Sequence, residues 1–83
     1  MSDKVSMKSN SVGDEGLLIS IVSPCYNEQE AIGYFYEELK KVLDGLDGFR
    51  HEIIFVDDGS TDGTLEKLNS FSENDPTIKV YSL

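Results

Sequence analysis

Two short segments of this chain concentrate side chains able to do chemistry: SPCYNE at residues 23–28 and DDGSTDG at residues 57–63. Each follows an apolar run, so Asp57 and Asp58 stand where a strand would end. A carboxylate there is costly to desolvate unless a partner meets it. An ionised carboxylate only accepts hydrogen bonds, which suits it to the N–H edge of uracil or guanine, or to ribose hydroxyls. Tyr26 can lay its ring against a base, and the mouth of a following helix offers N–H groups. The same acids also have a purely structural use. Asp57 or Asp58 can cap the turn at Gly59 and Ser60, as Asp side chains commonly do. Spacing alone leaves both uses open, while Asp62 reads as the cap of a following helix.

Other chemistries fit less well. Asp58, Ser60 and Asp62, with Gly63 at the sixth position, match the opening of an EF-hand loop. The twelfth position is Asn69, which cannot close such a site with a bidentate carboxylate, and an apolar β-branched run precedes the loop instead of a helix. A phosphoacceptor receiver domain places its acidic pair after the first strand, whereas this pair follows the second. Cys25 has no histidine near it in sequence and reads as a buried packing residue. One cysteine and one histidine (His51) in 83 residues exclude an internal disulfide, a multi-cysteine zinc site and a His-rich metal centre. Sixteen acidic against seven basic side chains give a net charge of −9. Such a balance argues against nucleic acid and anionic membranes as partners. It also repels phosphate-bearing ligands unless a cation or backbone N–H groups offset it.

The elements that must position these residues follow from patterning. Residues 1–16 mix Ser, Gly, Asn and charges without period and read as a disordered leader. Residues 17–83 read as one partial domain. LLISIV at 17–22 and EIIFV at 52–56 are short and β-branched, as buried parallel strands are. Between them Asn27 with Glu30 resembles a capping box. Ile32, Phe35, Leu39, Val42, Leu43 and Leu46 then form a helical stripe, flanked by Tyr34 and Tyr36 as packing residues and closed by Gly45 and Gly48. A second helix resumes near Thr64 with Leu65, Leu68 and Phe71 on one side. It breaks at Asp75 and Pro76, and residues 78–83 alternate as a third strand. The order is β-α-β-α-β, which right-handed crossovers turn into a parallel sheet with packed helices. Ligands of such sheets bind beyond the carboxyl ends of the strands, where both segments lie. The longest apolar stretch is far short of the ~20 residues a membrane span needs, and no secretory signal is visible. The chain reads as cytoplasmic.

The two motifs together, ISIVSPCYNE from Ile19 and EIIFVDDGSTDGT from Glu52, resemble the start of a family 2 glycosyltransferase. The similarity runs from about Leu17 to Leu83 and is greatest to the bacterial branch that loads sugar onto a polyprenyl phosphate, with dolichyl-phosphate mannose synthases as near relatives. It implies the amino-terminal half of a Rossmann-like GT-A domain, and an inverting enzyme that takes a nucleotide-sugar (UDP- or GDP-linked) as donor and a lipid phosphate as acceptor. It further implies that Pro24, Tyr26 and Glu28 line the base and ribose pocket. Asp58 would accept from the base N–H edge, and Asp57 would support the turn or the ribose side. Gly59 and Gly63 would give the turn its backbone freedom, with Ser60 and Thr61 holding it.

Departures from the family pattern matter as much. Family members need a divalent cation, Mg2+ or Mn2+, held by an Asp-X-Asp motif after a later strand, and a catalytic base later still. No Asp-X-Asp occurs in these 83 residues. The expectation is therefore no catalytic and no metal-binding residue in this chain, and no transferase activity by it alone. The alternative is a truncated, inactive module that binds nucleotide weakly or pairs with another chain. Pairing would run through the open strand edge at residues 17–22, a feature that invites self-association. A longer relative carrying membrane spans would work at the cytoplasmic face of a membrane.

Overall fold

The computed structural model describes residues 6–11, 17–46 and 48–83. The elements run β1 (Ser6–Ser11), β2 (Leu17–Cys25), α1 (Ile32–Asp44), β3 (Phe49–Asp57), α2 (Thr64–Asn74) and β4 (Ile78–Ser82). One four-stranded sheet has the order β1-β2-β3-β4. Strands β2, β3 and β4 are parallel, with Cys25 opposite Asp57 and Asp57 opposite Ser82. This is the α/β arrangement that patterning implies for residues 17–83.

Both crossovers step the same way across the sheet, so right-handedness puts both helices on one face. Ring contacts agree: Tyr36 of α1 stacks on Phe71 of α2 with centroids 4.4 Å apart, and Phe71 lies 6.4 Å from Phe55 of β3. Alternation along the strands sends Ile19, Ile21, Cys25, Ile53, Phe55 and Ile78 towards the helices, where Ile32, Leu43 and Leu68 meet them. The stripe on α1 differs from expectation at its margins. Tyr36, Phe35 and Leu39 pack against the core, but Val42 and Leu46 are exposed and Tyr34 is 71% exposed. At 100° per residue Tyr34 falls on the side away from Ile32 and Leu43, so flanking a stripe in sequence is not flanking it in space. The opposite sheet face carries a polar group of its own, where Ser20 Oγ (2.8 Å) and Lys79 Nζ (3.3 Å) donate to Glu52.

Strand β1 corrects the expected structureless leader over residues 6–11, while residues 1–5 and 12–16 lie outside the described residues. It pairs antiparallel with β2, from Ser6 opposite Val22 to Ser11 opposite Leu17. The edge at residues 17–22 is therefore occupied, and the premise for self-association there is removed. Among the described residues no helix is long and apolar enough to cross a membrane.

Behind the helix pair sits an acid that ties α1 to the start of β4. Asp75 Oδ1 accepts from Thr77 N–H (2.9 Å) and Oγ1 (2.6 Å). Its Oδ2 accepts from Tyr36 Oη (3.0 Å) and Lys40 Nζ (3.1 Å). Burial alone would raise this carboxyl, but the donors from Thr77, Lys40 and Tyr36 outweigh it and hold the group well below the usual carboxylate range. Tyr36, by burial and by donating to Asp75, is pushed up to about 12. A depressed acid contributes stability above its unfolded pKa of about 3.9 and loses it as pH falls towards the folded value. Thermal midpoints should therefore drop steadily below about pH 4, and Asp75→Asn should flatten that slope while lowering stability at pH 7. An Asp75→Asn profile parallel to the parent's would refute the assignment.

Candidate functional site

The candidate site is two loops, residues 26–31 after β2 and 58–63 after β3, at the carboxyl ends of adjacent parallel strands. The ladder continues into them, since Asp58 N–H donates to the Cys25 carbonyl (2.8 Å). With Cys25 opposite Asp57, Tyr26 and Asp58 leave the sheet side by side.

The twin acids divide their work. Asp57 is 2% exposed, and its oxygens accept from Ser60 N–H (3.1 Å) and from the Ser60 hydroxyl. Such a bond requires the chain to double back at once, and Gly59 supplies the reversal at φ +76°. Asp58, by contrast, is exposed. The N-cap position of α2 is Gly63, which has no capping side chain; Asp62, one residue earlier, reaches the helix start instead, its Oδ1 accepting from Thr64 N–H (2.9 Å) and from the Thr64 hydroxyl. The Asp62 carboxyl is lowered chiefly by the Thr64 hydroxyl, against a desolvation that raises it, with backbone N–H donors adding to the lowering.

Each of these hydroxyls also accepts from the first loop. Ser60 Oγ takes the Asn27 N–H (2.9 Å), and Thr64 Oγ1 takes the Glu28 N–H (2.8 Å). Amide side chains return the contact, because Asn27 Oδ1 accepts from Thr61 N–H (2.8 Å) and Gln29 Oε1 from Gly63 N–H (2.8 Å). Gln29 lies so close to Gly63 that a Cβ there would meet its amide carbon at 2.9 Å. Gln29 N–H and carbonyl are taken by Asp62 (3.2 Å) and Lys67 Nζ (2.8 Å). The expected capping box does not form. Helix α1 starts at Ile32 after the uncapped Ala31, with Glu28 carbonyl accepting from Ala31 and Ile32 N–H at 3.1 and 2.9 Å. Asn27 is instead at φ +50°, its side chain committed to the other loop.

Among the residues singled out from sequence, Tyr26 is 55% exposed, Glu28 is buried and Pro24 is half-buried on β2. A cleft of about 370 Å3 is lined by Asn27, Glu28, Gln29, Glu30, Ala31 and Asp62; of the residues expected to contact nucleotide only Glu28 borders it, and Pro24, Tyr26, Asp57, Asp58, Gly59 and Ser60 do not. A larger one of about 480 Å3, lined by residues including Phe49, Arg50 and Lys79, lies at the opposite, amino end of the strands, away from both motifs. Cys25 is fully buried and its thiol is pushed up to about 11 by desolvation, which leaves it a packing residue and not a nucleophile. Among the described residues no group of three or more His, Cys, Asp or Glu is arranged to hold a metal ion. The cross-loop roles of Asn27, Gln29 and Thr64 escaped the sequence reading. The available signal was the repeated pairing of an acid with a hydroxyl two or three residues on, at Asp57 with Ser60 and Asp62 with Thr64.

Residues 20–83 match the profile of Glycosyl transferase family 2. A prophage bactoprenol glucosyl transferase homolog of Escherichia coli is 38% identical over 64 residues, covering 77% of this chain and 21% of the relative. The uncharacterized glycosyltransferase YkcC of Bacillus subtilis is 43% identical over 61 residues, covering 74% and 19%. A dolichyl-phosphate beta-glucosyltransferase of Dictyostelium discoideum is 34% identical over 77 residues, covering 83% and 22%. The chain thus spans about a fifth of the length of these curated relatives. No solved structure matches it significantly.

Asp57→Ala should leave the Ser60 donors without their acceptor and lower stability by about 1–3 kcal/mol, read from urea denaturation, with Asp57→Asn intermediate. Equal midpoints for Asp57→Ala and the parent would remove the capping role.

Proposed function

Because this chain belongs to glycosyl transferase family 2, we propose that its paired loops hold the nucleoside end of a nucleotide-sugar donor. The whole enzyme would be an inverting transferase that passes the sugar to a polyprenyl phosphate. Relatives named for bactoprenol and for dolichyl phosphate support that acceptor class, and such a lipid places the reaction at a membrane surface. The observation that carries the reading is the division of labour between the twin acids. Asp57 is consumed within its loop, while Asp58 and Tyr26 are both exposed where their adjacent strands end.

Asp58 accepts from the base N–H edge, Tyr26 covers the ring, and Pro24 and Glu28 border the base and ribose. Asp57, Gly59 and Ser60 act as framework. The cation that family members use supplies charge neutralisation at the diphosphate, and no residue described here is assigned to it. Proton removal at the acceptor is likewise assigned to no residue of this chain.

Calorimetric titration of the 83-residue chain with UDP, GDP and uridine tests this. Asp58→Asn should weaken the preferred nucleotide about tenfold or more, the scale of a hydrogen bond to a charged group, with an unchanged thermal midpoint. Lowered stability with unaltered affinity would make Asp58 a structural residue and overturn the proposal, as would absence of binding by the parent.

A further inference from the structure

We propose that Asn27 is a positioning residue that sets Tyr26 and Asp58 relative to each other, a role that rests on the nucleotide reading above. Among the described residues it is the non-glycine with positive φ, at +50°. Asparagine enters that region more readily than most residues. The conformation turns the chain between the exposed Tyr26 and the buried Glu28.

From that turn Asn27 holds consecutive residues of the second loop. Its N–H donates to Ser60 Oγ (2.9 Å), and its Oδ1 accepts from Thr61 N–H (2.8 Å) and, more distantly, from the Thr61 hydroxyl (3.4 Å). Ser60 in turn donates to Asp57. The strand ladder fixes the backbone of Asp58 through the Cys25 carbonyl at 2.8 Å. Beyond that point the second loop is held by its own bonds, Ser60 to Asp57 and Thr64 to Asp62, and by contacts reaching across from the first loop. The Asn27 contacts are exposed, so water competes for them and they are among the more easily opened of the cross-loop bonds. Asn27 touches no ligand in this scheme and acts through Ser60 and Thr61.

Two substitutions separate the side chain from the backbone conformation. Asn27→Gly accepts φ +50° freely but removes the acceptor, whereas Asn27→Asp keeps an acceptor for Thr61 N–H. Amide hydrogen exchange by NMR on the full 83-residue chain, with UDP and GDP titrations of each variant, provides the test. In Asn27→Gly, exchange at Thr61 should rise about tenfold, while Gly63, held by Gln29, should change much less. Affinity for the preferred nucleotide should fall about tenfold with the thermal midpoint retained, and Asn27→Asp should restore both readings most of the way. Unchanged Thr61 exchange in Asn27→Gly would overturn the proposal, as would faster exchange with unchanged affinity. A parent chain that binds neither nucleotide would sink the nucleotide reading and this role with it. Binding by the parent that is unaffected in Asn27→Gly would sink this role alone.

Discussion

A buried carboxylate must be satisfied at once, and Asp57 imposes that condition at the end of the central strand. It lies 2% exposed where β3 leaves the sheet, so the following residues have to bring donors back to it. Ser60 does so with its amide and hydroxyl, and the reversal needs the left-handed backbone of Gly59. A hydroxyl that donates inward keeps lone pairs facing outward, and Ser60 offers one to the Asn27 amide. Thr64 repeats the device between Asp62 and Glu28. The two loops are thereby one hydrogen-bonded object whose shape is set from the strand end upward. Asp58 is left with an exposed carboxylate because its neighbour has taken the structural task.

The sheet applies the same economy of charge. Both helices occupy one face, so the other presents Leu18, Val22, Ile54 and Val56, all partly buried, around Glu52. That acid is depressed chiefly by the Ser20 hydroxyl, against a desolvation that raises it, with Lys79 adding to the lowering. Glu52 is therefore paired with the charge of Lys79 on one neighbouring strand and with the Ser20 hydroxyl on the other. At its margin β1 closes the side of β2 with an antiparallel pairing, the orientation that a short connection allows and a parallel neighbour would not.

Much of this was legible because apolar pattern and period decide it. The β-branched runs before Ser23 and before Asp57 favoured buried strands over short helices by their length and composition, and the spacing of Ile32, Phe35, Leu39 and Leu43 placed α1. Strand β1 was not legible. Its sequence, SMKSNS, has little β propensity of its own, and its order comes from pairing with the neighbouring apolar strand β2. The start of α1 misled for a related reason. Asn27 and Glu30 have the composition of a capping box, but Asn27 found a stronger partner in Thr61, 34 residues away. The twin acids showed the limit most clearly. Composition marked Asp57 and Asp58 equally, and only alternation across the sheet separates the buried one from the exposed one.

Electrostatics then constrains how any nucleotide can lie here. The first loop and its cleft carry Glu28 and Glu30 with Asp62 opposite, in a chain of net charge −9. The nearby cation, Lys67, is engaged with the Gln29 carbonyl. Phosphates directed into this region would meet three carboxylates against the single charge of Lys67. A neutral base meets no such repulsion, and it brings the N–H donors that an acceptor-only carboxylate requires. On the proposed reading, repulsion does as much as attraction: it favours the pose with the base at Asp58 and the diphosphate pointing away. The acidic balance that at first argues against a phosphate-bearing ligand becomes, in this geometry, what orients one.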